Sequence, residues 1–127
     1  MLLRFTTAHD TGTVLNPITH QGQIDGGFVM GLGQALMEEL VIEEGRVVNP
    51  SFADYKIPTQ MDVPELRTVL VDSEGVGPYK VKPIGEHVNP PAVAAIANAV
   101  ADAVGVEIMD LPITAEKVLR ALRQKER

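Results

Sequence analysis

Glu86 is the one acid in a loop shaped by glycine and proline, and it is the residue of this chain best suited to proton transfer. The loop reads Gly75-Val-Gly-Pro-Tyr-Lys-Val-Lys-Pro83-Ile-Gly85-Glu86-His-Val-Asn-Pro-Pro91. A carboxylate in such a place can act as a general base, and Tyr79, Ile84 and Val88 offer an apolar lining that would make it a better one. Lys80 and Lys82 would work the other way if they lie close. A solvated loop acid is the competing reading. A second candidate is Gln23 in Gly22-Gln23-Ile-Asp-Gly26-Gly27. Its amide both donates and accepts, and it is placed near the opening of a helix, where free N–H groups receive anions such as phosphate.

The elements that must position these residues can be read from spacing. After Glu86, Val93, Ile96, Ala97, Val100 and Val104 recur at three- and four-residue steps, which predicts a helix over 92–104 with Asn89 as its cap and Pro91 in its first turn. Earlier, Ile24, Phe28, Leu32, Leu36 and Leu40 repeat every fourth residue and predict a helix over 21–40. That helix carries Gly26, Gly27, Gly31 and Gly33, each costing roughly 1 kcal/mol relative to alanine. Either close packing of another element or approach of a bulky cofactor would offset the cost.

The remaining segments read as short elements. Leu2–Ala8 and Glu65–Asp72 read as strands, and Val41–Asn49 as a hairpin turning at Glu44-Gly45. Asp54–Pro58 and Val106–Pro112 read as extended pieces. Thr114 caps a short terminal helix with Val118, Leu119 and Leu122 as its buried stripe. The class is α+β (mixed α/β): several strands against two long helices and a short C-terminal one, with 1–127 forming a single domain.

Composition excludes several functions. The net charge of −6 argues against nucleic acid and against a basic membrane patch. There is no cysteine, so no disulfide and no thiolate metal site. His9, His20 and His87 are scattered without ligand spacing, so no protein-ligated metal is expected. No run is long and apolar enough to span a membrane, and the start of the chain has no signal-peptide form, so the sequence reads as soluble and cytoplasmic. Asp10-Thr11-Gly12 matches the triplet of aspartic proteases, but those enzymes are nearly all β. An Asx-type turn is the reading kept for Asp10.

The order of motifs resembles the carboxy-terminal part of the molybdopterin-binding subunit of the xanthine dehydrogenase and aldehyde oxidase family, the molybdenum hydroxylases. The resemblance is carried by His9-Asp10-Thr-Gly-Thr-Val-Leu-Asn16-Pro17, by Gly22 through Leu36, by Asp54-Tyr-Lys-Ile-Pro58, by Lys82-Pro-Ile-Gly-Glu86, and by Ala95–Ala99 and Leu111–Thr114. It covers nearly the whole chain. It implies that Gln23, with Gly26 and Gly27, contacts molybdopterin, possibly in its cytosine dinucleotide form. It also implies that Glu86 is the base in the hydroxylation of a carbon with water. Molybdenum is held by the pterin, so no protein ligand is implied. Electrons would leave through iron–sulfur and FAD groups on partner domains or subunits. The remaining molybdopterin-binding segments are further partners, and a homo-oligomer through the glycine-marked helix is a further expectation. The competing function is a non-catalytic structural or assembly module. Two departures sit beside Glu86: Pro83 stands where the family has glycine, and His87 begins a stretch where the family has a small residue, glycine and one proline.

Overall fold

The computed structural model describes residues 1–126. Strand β1 (Arg4–His9) leads through a polar turn into helix α1 (Pro17–Leu36). A small hairpin, β2 (Ile42–Glu43) and β3 (Arg46–Val47), precedes strand β4 (Glu65–Leu70). A 3₁₀ turn at Glu86–Val88 runs directly into α2 (Asn89–Val104), and α3 (Ala115–Lys125) follows. β1 and β4 pair in parallel, with His9 opposite Leu70, and β2 pairs antiparallel with β3. This is the α+β class expected from the sequence.

α1 is the centre of the core because it is covered on two sides. Ile24, Phe28, Leu32 and Ala35 are buried along it, with Val88, Ala92 and Ile96 facing them from the turn and α2. Phe5 of β1 lays its ring 4.4 Å from that of Phe28, so the sheet covers the other flank together with Leu66. Each large side chain buried in this way contributes about 1.5–3 kcal/mol.

The glycines of α1 explain how two helices come so close. A Cβ at Gly27 would lie 2.7 Å from the Cβ of Val88, and one at Gly31 would lie 2.8 Å from the Cβ of Ala92. Both contacts advance by four residues, so α2 runs beside α1 in the same direction, and the glycines are the groove into which its small residues fit. Gly27, Gly31 and Gly33 are therefore internal, while Gly26 stays exposed.

Several boundaries differ from those expected, each for a local reason. α1 begins at Pro17, earlier than the apolar repeat, because the Asn16 side chain accepts from the N–H groups of Ile18 and Thr19 at 3.1 Å each. It stops at Leu36, where the N–H groups of Met37 and Glu38 both turn back to the Gly33 carbonyl. Leu40, which continues the repeat, lies beyond the end and is exposed. Asn89 does not cap α2, because its N–H donates to the Glu86 carbonyl and closes the preceding 3₁₀ turn. The buried line of α2 is Val88, Ala92 and Ile96 rather than one centred on Val93 and Val100, since only the small Ala92 fits opposite Gly31. The first part of Asp54–Pro58 belongs to a turn, with the N–H groups of Asp54 and Tyr55 donating to the Ser51 carbonyl, Lys56–Pro58 forms no regular element, and 106–112 forms no strand. Thr114 caps α3 as expected, but its apolar stripe is not buried: Val118 and Leu122 are half-buried and Leu119 is exposed. Among the described residues, no helix is long and apolar enough to cross a membrane.

Candidate cofactor and catalytic site

The turn between β1 and α1 is zipped to the loop that carries Glu86. Asp10 opens this turn, its carboxylate accepting from Ser73 and Lys82. Gly12 follows with φ of +60° and pairs across to Val81. The Lys82 N–H donates to the Thr11 carbonyl at 2.8 Å, and the Thr13 N–H to the Lys80 carbonyl at 3.0 Å. Pro83, which lacks an N–H, comes one residue after the last of these bonds, so its missing donor interrupts nothing.

The two lysines of the loop are occupied away from Glu86. Lys82 Nζ donates to Asp10 at 2.5 Å and to Ser73 Oγ at 3.0 Å, and Lys80 pairs with Glu74 at 2.6 Å. The Asp10 carboxyl is held below its ordinary range, first by the Lys82 hydrogen bond and then by those from Ser73 and Gly12. Tyr79 is exposed and Val88 faces Gly27, so neither lines the Glu86 carboxylate as the sequence suggested. Glu86 lies exposed in a groove of about 410 Å³, whose walls include Pro90, Val93 and Ala94 and whose polar groups are Gln34 and Asn89. Among the described residues its carboxylate accepts no side-chain hydrogen bond, which leaves both oxygens available.

Gln23 lies on the second turn of α1, not the first, because Asn16 and Pro17 start the helix earlier. Its backbone is already within the helix, so the amide side chain is what it offers to a ligand. It faces a cavity of about 380 Å³ lined also by Thr13, Thr19, His20, Lys82 and Ile84. Gly26, one turn along on the same exposed side, has nothing within 4 Å of where a Cβ would be. Amide, hydroxyl and imidazole donors around an open wall, beside a stretch of helix without side-chain cover, suit a flat polar group such as a pterin at close range. Gly27 is placed differently, inward against Val88.

The cavity of Gln23 and the groove of Glu86 are separate, but their walls share one buried core. Gln23 stands one turn before Gly27, and Glu86 two residues before Val88. The Gly27–Val88 contact locks the two elements together.

A family model of the molybdopterin cofactor-binding domain matches residues 1–64, just over half of the 127-residue chain. The chain belongs to this family. It is 43% identical over 118 residues to the xanthine dehydrogenase molybdenum-binding subunit of Escherichia coli O157:H7, covering 91% of this chain and 16% of that one. It is 40% identical over 115 residues to the aldehyde oxidoreductase molybdenum-binding subunit PaoC of Escherichia coli strain K12, covering 87% of this chain and 16% of that one. The crystal structure of quinoline 2-oxidoreductase from Pseudomonas putida 86 superposes with a TM-score of 0.89 at 34% identity, covering 96% of this chain and 16% of that one. The chain thus spans about 16% of the length of the oxidoreductase subunits it matches.

Sequence reasoning missed two clusters. One is the clasp of Asp10, Ser73 and Lys82. The other joins the three histidines: the His9 ring lies 5.3 Å from that of His87, and His20 Nε2 is 2.9 Å from the hydroxyl of Thr11, near His9 in the chain. No local spacing signals either cluster, since the members come from β1, α1 and the loop before α2.

Proposed function

We propose that this chain supplies one wall of a molybdenum hydroxylase active site, with Gln23 and Gly26 on the cofactor side, Gly27 holding the wall together, and Glu86 as the general base. The observation that supports the reading is the Gly27–Val88 interlock, which ties the helix carrying Gln23 to the turn carrying Glu86. Bound molybdopterin would supply molybdenum and with it the two-electron oxidation of a substrate carbon.

The chain's own residues have narrower tasks. The Gln23 amide orients the pterin by donating and accepting at its edge. The uncovered backbone at Gly26 lets a flat group approach α1. Glu86 accepts a proton at one carboxylate oxygen as water becomes a nucleophile. Pro90, Val93 and Ala94 keep one side of the groove apolar, which limits water around that carboxylate. The substrate is a small molecule, and the remaining molybdopterin-binding segments with iron–sulfur and flavin subunits complete the enzyme. The test is reconstitution with those segments, followed by turnover of Glu86 and Gln23 variants.

Two results follow for the chain on its own. Purified alone, it is expected to hold no stoichiometric molybdenum, because Gln23 and Gly26 are exposed and a single wall cannot bury a pterin. Elemental analysis of the purified chain checks this, and one molybdenum per chain would overturn it. It is also expected to associate, with itself or with a partner. Leu40, Ile42, Val47 and Val48 lie exposed on and beside the small hairpin, and grouped apolar side chains favour association. Sedimentation should give a mass above 13.7 kDa that rises with concentration. A constant monomer mass would count against the idea.

A further inference from the structure

The 3₁₀ turn that carries Glu86 has three residues, and each side chain takes its own direction. Three residues per revolution set successive side chains about 120° apart. Val88 points into α1 and is buried against Gly27. His87 meets the ring of His9 edge-on, 5.3 Å between centroids at an interplanar angle of 71°. Glu86 is left facing the groove.

His9 is a rigid partner for this contact. It is only 7% exposed. Its backbone is paired opposite Leu70, and its carbonyl accepts the Val71 N–H at 2.8 Å. Its Nε2 lies 2.7 Å from the hydroxyl of Thr7. One ring is thus fixed to the sheet and the other rides on the turn.

We infer that the His9–His87 contact is the second anchor of this turn, that it holds while both rings are neutral, and that His87 is therefore a positioning residue for Glu86. The relevance to catalysis rests on the reading of Glu86 as the base. The anchor itself does not depend on that reading.

The ionisable surroundings favour a neutral His9 ring. From the turn comes His87 and from α1 comes His20, both adding positive charge when protonated. Asp10, next in the chain to His9, is directed to Lys82 and Ser73, and from β4 the residue opposite is Leu70. Among the described residues no carboxylate is hydrogen-bonded to either ring. Burial first, and then the charges of His87 and His20, hold His9 below its ordinary value of 6.5. The sign follows from linkage. The unfolded chain binds the proton more readily than the folded one, so the stability from neutral His9 is present above pH 6.5 and is lost as pH falls below it. Protonating both rings adds like-charge repulsion at the anchor, and the movable partner is the turn.

The experiment uses amide hydrogen exchange on the 127-residue chain by NMR. The reporter is the Asn89 N–H, whose bond to the Glu86 carbonyl closes the turn. In the parent chain its protection, corrected for the intrinsic rate, is expected to fall at least about tenfold between about pH 8 and about pH 5. The amides of Phe28 and Leu32 in α1 serve as the control for global folding. His87→Ala should lower the Asn89 protection at both pH values. His87→Phe keeps an edge-on ring without a titrating nitrogen, so it should keep the protection at about pH 8 and shrink the acid drop to the part that buried His9 contributes by itself. Unchanged protection in His87→Ala, or an acid drop in His87→Phe as large as in the parent chain, overturns the proposal. If His87→Ala loses protection everywhere, the His87→Phe comparison decides. No turnover enters this test, so failure of Glu86 as the base would show only in the kinetics, and failure of the anchor only in the exchange.

Discussion

Glu86→Gln is expected to lower turnover of the completed enzyme by roughly 10²- to 10⁴-fold, the usual contribution of a positioned base. The substitution keeps the shape of the side chain and removes the proton acceptor. Because Glu86 is exposed and accepts no side-chain hydrogen bond among the described residues, the change breaks no contact that holds the fold. Molybdenum content and stability should therefore stay at parent levels while the rate falls. Gln23→Ala should do the reverse, lowering cofactor content and leaving the base in place, since Gln23 lines the other cavity. The pair is measured as turnover and bound molybdenum for each variant after reconstitution with the missing segments. Near-parent turnover in Glu86→Gln would remove Glu86 from the chemistry, and the search would move to the acids supplied by those segments.

Gly27→Ala is expected to destabilise the chain, although alanine is the better helix former. The new methyl would lie 2.7 Å from the Cβ of Val88, a distance that real Cβ atoms do not adopt. Helix propensity returns about 1 kcal/mol, while overpacking a filled core costs typically about 1–3 kcal/mol. The balance falls on the side of loss because Val88 is pinned by the turn and cannot swing away as the tip of a long side chain would. Gly26→Ala makes the comparison, because its methyl meets nothing within 4 Å and should stabilise by up to about 1 kcal/mol. Urea unfolding of the two variants reads the difference directly. Adding Val88→Ala to Gly27→Ala should relieve part of the clash, so the double variant should be more stable than the sum of the single losses. A Gly27→Ala chain as stable as Gly26→Ala would mean that α2 does not seat where the interlock requires it. In the completed enzyme the same variant should also slow turnover, since the displaced turn carries Glu86.

The elements were legible wherever the signal is local. The four-residue repeat from Ile24 to Leu36 announced α1, Glu44-Gly45 announced the hairpin, and Thr114 announced the start of α3. The motifs around Gln23 and Glu86 pointed to the molybdopterin family, which the match over residues 1–64 establishes. Boundaries shifted where a side chain outside the apolar pattern decided them. Asn16 capped α1 early, and the 3₁₀ turn absorbed Asn89. The stripe on α3 shows the limit of periodicity: the pattern is amphipathic, but burial needs a facing surface, and the described residues leave Leu119 about half exposed.

The amino-acid order by itself determined which residues are chemically able to act, and it determined the helices that carry them, because spacing and capping are properties of neighbours along the chain. It left open whether the glycines of α1 serve a cofactor or a packing helix. The tertiary structure divided them, with Gly26 open to solvent, Gly27 and Gly31 filled by Val88 and Ala92, and Gly33 closed over by Glu38. It also brought His9, His20 and His87 together, and it drew Lys82 to Asp10 and away from Glu86. These pairings join residues far apart in sequence, and their energy comes from burial and close contact that exist only once β1 pairs with β4 and α2 seats on α1.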